Sequence, residues 1–243
     1  MQKITDLREF VFPIFLVYGD DTSFSPQGRE YLGTGFFITN KGDAATAAHV
    51  IPDQIPPNQR LIAVVVNDGK EIVCWLQSCA KFDAFDFAMI KVNIDSSKFF
   101  TVMSERLDLG CDVSVIGIPT HESTLVEAGK KQMRYLKGHV VAGNGKLLEL
   151  SFAVPAGMSG APLIVNDNAI GYATGRVRGE ELEESTEEVI RVSNQKEVIQ
   201  LIQTKRITYY GVAREFAEFV HIKFDCFQGL SVLQFIEHRN KSN

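Results

Sequence analysis

Ser159, in the segment PAGMSGAPL, is the residue whose surroundings most suggest chemistry. A serine hydroxyl is a weak nucleophile near neutral pH, so it needs a neighbouring imidazole base, a carboxylate that orients the base, and donors for an oxyanion. Gly157 can adopt backbone angles closed to residues with a Cβ, which lets successive amide N–H groups point into one concavity. The N–H groups of Gly157 and Ser159 are therefore candidate oxyanion donors, although such a turn taken alone is more often only a tight loop.

The candidate base and its orienting carboxylate lie upstream, in two separate segments. His49 ends the small-residue run ATAAH, and Asp86 opens the apolar run DFAMIKV. Taken singly, a lone buried histidine is usually structural, and an aspartate ahead of a strand is commonly a solvated turn residue. Asp83, three residues before Asp86 in KFDAFDFAMI, competes for the orienting role.

Short β-rich runs must position these residues, because they fill the sequence from about residue 10 to about residue 170. The runs are FFI, LIAVVV, EIVCWL, FAMIKV, VSVIGI and LLELSF, and Gly, Pro, Asn and Asp separate them. This pattern predicts an all-β barrel or sandwich. Strands do not alternate with long amphipathic helices, which argues against a parallel α/β sheet.

Five segments, in their order along the chain, resemble those of the trypsin-like, chymotrypsin-fold peptidases and especially the HtrA-type catalytic domain. They are GTGFFI at 33–38, TAAHV at 46–50, DFAMIKV at 86–92, VSVIGIP at 113–119 and GMSGAP at 157–162. Their conjunction over residues 11–212 is far more specific than any one motif. The resemblance implies an all-β fold of two packed six-stranded antiparallel β-barrels, with the active site in the cleft between them.

The resemblance also divides the chain into three parts. Residues 1–105 would form an N-terminal barrel that carries His49 and Asp86, residues 106–212 a C-terminal barrel that carries Ser159, and residues 213–243 a C-terminal helical segment. An insertion at 176–206 would interrupt the second barrel. It starts with an acidic loop, and SNQKEVIQLIQ at 193–203 predicts a short helix. Because the resemblance accounts for residues 11–212 of the 243 residues, no PDZ module of the HtrA type is expected.

The function implied by the resemblance is a serine endopeptidase that cleaves proteins through a covalent acyl-enzyme. Ser159 Oγ would attack the scissile carbonyl, and His49 would take its proton and later pass it to the leaving amine. Asp86 would hold the imidazole, because of the two acids only Asp86 directly precedes the strand as the family pattern requires. Ala161 stands where the family often has a second glycine after the nucleophile.

The family pattern places the primary specificity pocket at Ala153, six residues before Ser159, and on a later strand. The substrate-binding candidates on that strand are Tyr172, Ala173, Thr174 and Gly175. None of these residues is acidic. The pocket is therefore expected to accept small or medium apolar side chains rather than Lys or Arg, because burying an unpaired cation is costly.

Two alternative functions stay open. An α/β-hydrolase esterase would use a GxSxG elbow followed by an acid and a histidine, for which Asp167 and His221 are available. The residue two after Ser159 is Ala161 rather than glycine, however, and the helices of that fold are missing from the pattern. A catalytically silent binding or scaffold protein could keep the barrels without the chemistry. The presence of all three triad side chains favours an enzyme.

Composition limits the partners of the chain. Its formal net charge of −5 gives no general attraction to nucleic acid or to an anionic membrane. The histidines and cysteines have no CxxC pair and no zinc-type spacing, which predicts neither a metal nor a cofactor. The cysteines are expected to be buried free thiols of a reducing compartment; they are Cys74, Cys79, Cys111 and Cys226.

Phe10 to Tyr18, FVFPIFLVY, has the length of a signal-peptide core but is interpreted as a first strand. Pro13 interrupts it, and Gly-Asp-Asp follows where a small-residue cleavage site should be. No apolar run approaches the roughly 20 residues that span a bilayer, so a cytoplasmic location is expected. A cytoplasmic endopeptidase would endanger its host. We therefore expect, besides a polypeptide substrate, a regulatory protein partner or control of access by the insertion at 176–206.

Overall fold

The computed structural model describes residues 4–19, 29–96, 98–120, 133–192 and 196–241. Within these residues, twelve strands form two closed, six-stranded antiparallel barrels, which is the chymotrypsin-like fold. The first barrel consists of β1 (Val11–Tyr18), β2 (Arg29–Phe37), β3 (Asp43–Ala47), β4 (Gln59–Asn67), β5 (Lys70–Phe82) and β6 (Phe87–Val92). The second consists of β7 (Asp112–Gly117), β8 (Arg134–Gly143), β9 (Leu148–Leu150), β10 (Pro162–Val165), β11 (Asn168–Val192) and β12 (Lys196–Glu215).

The barrels close through neighbours that are not always consecutive in sequence. Around the first barrel the order is β1-β2-β3-β6-β5-β4, and around the second it is β10-β11-β12-β9-β8-β7. The prediction of an all-β, two-barrel architecture is confirmed, as is the first strand over FVFPIFLVY. The α/β-hydrolase alternative is therefore wrong, because that fold requires a sheet covered by helices.

Two-residue turns fix the register of two hairpins. Asp68 and Gly69, with φ of 50° and 74°, connect β4 to β5. Asn166 and Asp167, with φ of 49° and 65°, connect β10 to β11 in the same way. Positive φ at both turn residues is typical of type I′ hairpins, which Asn, Asp and Gly adopt readily. These local sequences therefore set which residues pair across each hairpin.

Aromatic side chains join the two barrels. Phe87 at the start of β6 has its ring centroid 5.5 Å from Tyr172 of β11 and 4.7 Å from Phe219, which follows β12. Phe216 lies 5.7 Å from Tyr172 and 5.9 Å from Phe87. All four side chains are buried. Aromatic pairs at such separations stabilise the fold beyond the burial of their area, so this cluster holds the barrels in one relative position.

The insertion differs from its prediction. Residues 196–203 lie in β12 rather than in a helix, and residues 193–195 of the predicted helix lie outside the described residues. The pairing places Val189 opposite Ile199 and Ile190 opposite Val198. β-branched residues favour extended backbone, and β11 provides the strand with which these residues pair. Most of the predicted acidic loop, from residue 180 onward, is likewise part of β11.

The chain after β12 is helical in short pieces. Two 3₁₀ turns, Phe216–Glu218 and Asp225–Phe227, precede the helix α1 (Val232–Lys241). Ser231 and Gln234 form a reciprocal capping box, in which Gln234 N donates to Ser231 Oγ at 3.2 Å and Ser231 N donates to Gln234 Oε1 at 3.0 Å. The capping box explains why α1 begins here.

Helix α1 is anchored to the first barrel by Asp43, which is only 5% exposed. Arg239 Nε donates to Asp43 Oδ2 at 3.0 Å, and Thr39 Oγ1 donates to the same oxygen at 2.7 Å.

Among the described residues, no helix is long and apolar enough to cross a membrane. The expectation that the thiols are buried is correct for Cys74, whereas Cys226 is exposed.

Candidate active site

His49 and Asp86 are paired at one end of the first barrel. His49 lies in a 3₁₀ turn directly after β3, and Asp86 lies between a 3₁₀ turn and β6. His49 Nδ1 is 2.9 Å from Asp86 Oδ2 and 3.0 Å from Oδ1, and the His49 backbone N–H donates to Oδ1 at 3.0 Å. Ala48 N also donates to Asp86 O at 2.8 Å. The carboxylate therefore fixes both the backbone and the ring of His49.

This pairing determines the proton pattern of the imidazole. An ionised carboxylate can only accept, so Nδ1 of a neutral His49 carries the proton and Nε2 is left as the base. The histidine side chain is 47% exposed and that of Asp86 is 26% exposed, so the imidazole is open to solvent. Asp83 contributes only its carbonyl oxygen, which accepts from Asp86 N at 3.0 Å, and its side chain is exposed. The structure thus brings Asp86, and not Asp83, to His49.

Ser159 lies in the turn that leads into β10, held against the first barrel. Its carbonyl oxygen accepts from Thr34 N at 2.9 Å. The following residue, Gly160, has φ of 84°, and a Cβ there would lie 2.1 Å from Thr46 Oγ1 and 2.3 Å from Thr34 O. Only glycine fits so close to the other barrel. The glycine after Ser159 therefore permits the nucleophile to sit at the junction of the barrels.

The Ser159 hydroxyl is not yet directed at the base. Its Oγ donates to the Thr174 carbonyl oxygen at 3.4 Å, and within the described residues it has no hydrogen bond to His49. Catalytic hydrogen bonds are often formed only once a substrate is bound. The His49–Asp86 pair is assembled, whereas the contact between Ser159 and His49 is not.

The oxyanion turn is held by donors on both sides of Gly157. The Ala156 carbonyl oxygen accepts from Thr120 N at 2.8 Å and from Thr120 Oγ1 at 3.0 Å. Because a trans peptide points its C=O and N–H in opposite directions, the Gly157 N–H faces away from Thr120. The Gly157 carbonyl oxygen accepts from Tyr31 Oη at 2.7 Å and from Thr34 Oγ1 at 2.9 Å.

The two predicted oxyanion donors are free to bind a ligand oxygen. Within the part of the chain that the structure describes, neither Gly157 N–H nor Ser159 N–H donates a hydrogen bond. Gly157 has φ of 87°, and a Cβ there would lie 2.6 Å from both Thr120 N and Tyr31 Cε1. The turn therefore requires glycine both for its backbone angle and for the space around it.

The predicted substrate-binding residues divide into two groups. Ala153, Thr174 and Gly175 are partly exposed, as a pocket wall requires. Tyr172 and Ala173 are fully buried. The Tyr172 side chain enters the first barrel, where its hydroxyl donates to Phe85 O at 2.6 Å. Its side chain therefore does not line a surface pocket, because the aromatic cluster between the barrels contains the ring.

Sequence reasoning missed Tyr31, Thr34 and Thr120, which hold the oxyanion turn. Thr34 stands inside the GTGFFI motif, and a polar side chain at 0% exposure is a signal that only a structure reveals. Burial raises the pKa of Tyr31 and of Tyr172 far above the ordinary range of a phenol. Both hydroxyls therefore keep their protons and can donate.

Among the described residues, no group of His, Cys, Asp and Glu could hold a metal ion.

Solved proteases share this fold. The Deg5 crystal structure matches with a TM-score of 0.54 and 19% identity over 69% of this chain and 80% of that chain. The Rv3671c protease from M. tuberculosis in its active form matches with a TM-score of 0.53 and 18% identity, over 71% of this chain and 72% of that chain. The HtrA-type protease AlgW with a decapeptide matches with a TM-score of 0.54 and 17% identity, over 96% of this chain and 66% of that chain.

No curated protein matches this chain in sequence. The model of the trypsin-like peptidase domain matches residues 33–171, which include His49, Asp86 and Ser159. Together with the fold of its structural neighbours, this match supports a serine protease. The chain belongs to the trypsin-like peptidase family.

Proposed function

We propose that this protein is a serine endopeptidase in which Ser159, His49 and Asp86 form the catalytic triad. The observation that carries the proposal is the two-oxygen contact of Asp86 with His49 Nδ1, at 2.9 and 3.0 Å. A structural histidine needs one hydrogen-bond partner, whereas a general base also needs a fixed tautomer and an accessible second nitrogen. His49 has both.

The proposed acylation uses these three side chains and the oxyanion turn. Ser159 Oγ forms a bond to the scissile carbonyl carbon while its proton moves to His49 Nε2. The carbonyl oxygen becomes an oxyanion that accepts from the N–H groups of Gly157 and Ser159. When the intermediate collapses, the C–N bond breaks, and the imidazolium gives its proton to the leaving amine. Asp86 stabilises the imidazolium but does not take its proton.

Deacylation repeats the same steps with water. His49 removes a proton from water, the resulting oxygen attacks the acyl carbon, and the bond to Ser159 Oγ breaks. The proton then returns from His49 to Ser159, which restores the free enzyme. The partly exposed residues Ala153 and Thr174 carry no acid, so the preferred side chain before the cut is small or medium-sized and apolar.

The substrate is a polypeptide, and we propose that access or alignment is regulated. Thr174, whose carbonyl oxygen binds the Ser159 hydroxyl, lies on β11, and the same strand continues into the insertion at 176–206. A protein partner that engages the insertion could therefore move Thr174 and release the hydroxyl toward His49. This connection supports the proposal that the insertion is the regulatory element.

A fluorophosphonate probe, which reacts with activated serines, tests the proposal. Wild-type protein is expected to be labelled, and Ser159→Ala and His49→Ala are not. Asp86→Ala should be labelled far more slowly, whereas Asp83→Ala, a matched control three residues away, should be labelled like the wild type. Absence of labelling in the wild type, both alone and with a denatured protein substrate present, would support the silent scaffold instead.

A further inference from the structure

Two buried tyrosine hydroxyls cross between the barrels in opposite directions. Tyr31 belongs to β2 of the first barrel, and its hydroxyl lies 2.7 Å from the carbonyl oxygen of Gly157 in the second. Tyr172 belongs to β11 of the second barrel, and its hydroxyl donates to Phe85 O of the first at 2.6 Å. Each tyrosine thus contacts a loop of the other barrel that carries a group of the proposed site.

The Tyr31 hydroxyl joins two loops of the second barrel. Besides Gly157 O, it reaches Ile118 O, in the segment that follows β7. Thr34 completes the network, because its Oγ1 donates to Gly157 O at 2.9 Å and accepts from Ile118 N at 3.2 Å. Thr34 Oγ1 also lies 3.2 Å from Tyr31 Oη. The network fixes the plane of the peptide that leaves Gly157, and with it the direction of the oxyanion turn.

The Tyr172 hydroxyl acts on the turn that carries Asp86. Phe85 O and Asp86 N belong to the same peptide group, and Asp86 N donates to Asp83 O at 3.0 Å. Asp86 itself has left-handed backbone angles, φ 50° and ψ 40°, which aspartate tolerates better than most residues but less easily than glycine. The bond from Tyr172 holds this peptide, and the aromatic cluster holds the tyrosine ring.

We propose that Tyr31 and Tyr172 are reciprocal positioning residues, Tyr31 for the oxyanion turn of Gly157 and Tyr172 for the Asp86 turn. This inference rests on the proposed function. Each barrel then holds part of the catalytic apparatus of the other, so neither barrel alone can complete the site. Both hydroxyls can serve this role throughout the neutral range, because burial keeps them protonated.

Tyr31→Phe removes the hydroxyl and keeps the ring, which packs against Phe15 at a centroid distance of 5.4 Å. The oxyanion forms only in the transition state, so kcat should fall about tenfold while KM changes less than about twofold. The amide resonance of Gly157 should shift in a ¹H,¹⁵N spectrum. Thr34→Val removes the other side-chain donor to Gly157 O, and it should lower kcat in the same way.

Tyr172→Phe tests the other half of the site. Release of the Phe85 carbonyl should let Asp86 depart from His49, which lowers kcat about tenfold. The downfield ¹H resonance of the His49 Nδ1 proton should broaden or move, and this readout does not require activity. If Tyr172→Phe does not fold, 3-fluorotyrosine at position 172 alters the donor strength of the hydroxyl and keeps the packing. The same resonance must then move.

Tyr135→Phe is the matched control, because Tyr135 is 48% exposed and lies on the surface strand β8. It should leave kcat and both resonances unchanged. Wild-type values of kcat and unchanged resonances in the Tyr31 and Tyr172 variants would overturn the inference. Absence of activity in the wild type would count against the proposed function alone, because the Gly157 amide and His49 Nδ1 resonances still report whether the hydroxyls position the two loops.

Discussion

Each barrel contributes one half of the candidate site, and the two halves differ in how completely their hydrogen bonds are formed. In the first barrel, His49 and Asp86 are already joined by contacts of 2.9 and 3.0 Å. In the second, the oxyanion turn is held by Thr120, while the Ser159 hydroxyl donates to Thr174 O at 3.4 Å. Each assembled part is held by more than one hydrogen bond. The part that is not aligned is a single, partly buried hydroxyl with one long hydrogen bond.

The difference indicates where activity can be controlled at the lowest energetic cost. A backbone turn with several hydrogen bonds must lose all of them to change, whereas a serine side chain exchanges one long hydrogen bond for another. A substrate or partner therefore needs to supply only a small difference in binding free energy between the two hydroxyl positions. The proposed regulation is therefore compatible with a site whose other parts are already assembled.

The largest expected effect tests whether the two halves act as one unit. Ser159→Ala is expected to lower kcat about 10⁶-fold and Asp86→Asn about 10⁴-fold, as in enzymes with a Ser-His-Asp triad. Because the groups act together, the double variant should lose no more than Ser159→Ala alone. Steady-state kinetics with a fluorogenic peptide measures all three.

Asp83→Asn provides the comparison for this series, since the Asp83 side chain is exposed and only its carbonyl oxygen contacts the Asp86 turn. It should retain activity within about twofold. Additive losses in the double variant would show that the two halves contribute independently, and they would break the interpretation of a single triad.

A smaller effect tests the oxyanion turn of the second barrel. Gly157→Ala places a Cβ 2.6 Å from Thr120 N, at φ of 87°, so the turn must shift and its N–H must move. Loss of one oxyanion donor costs about 10²- to 10³-fold in kcat, and this is the loss that we expect. Labelling by fluorophosphonate and steady-state kinetics both report it.

Gly145→Ala separates backbone strain from loss of the turn. Gly145 has φ of 80°, and nothing lies within 4 Å of its Cβ position. It should lower the free energy of unfolding by about 1 kcal/mol without changing kcat. If both variants lose the same activity, general destabilisation rather than the oxyanion turn would be responsible.

The sequence predicted the parts of the site that depend on residue type at a fixed place in a motif. His49, Asp86 and Ser159 follow from such motifs, and the glycines beside Ser159 belong to the same motif, although the atoms that leave room only for glycine are distant in sequence. Tyr31, Thr34 and Tyr172 were not predicted as positioning residues, because their roles depend on contacts across the barrel interface between residues such as Tyr31 and Gly157, 126 positions apart. Nothing near them in sequence indicates such contacts.

The insertion shows the opposite limitation. Its glutamates and the segment SNQKEVIQLIQ predicted an acidic loop and a helix, yet the backbone pairs as two strands. Helical spacing of Val198, Ile199 and Ile202 also fits a strand, because short apolar runs do not distinguish the two. The segment is a strand because β12 pairs with β11. This pairing requires both segments, so neither segment alone predicts it.

The smallest expected effect tests whether the hairpin of β11 and β12 controls the orientation of the Ser159 hydroxyl. Arg178 is paired with Tyr209, so replacing residues 179–208 by Asn-Gly would join them through a two-residue turn that suits a hairpin. Thr174 would then lie on a strand without the outer hairpin. We expect kcat/KM on a short fluorogenic peptide to rise up to about tenfold, as it would if about a tenth of the molecules were aligned before the change. An unchanged kcat/KM, with an unchanged Tm, would show that Thr174 holds the hydroxyl independently of the hairpin. Control of Ser159 would then have to come from the substrate itself.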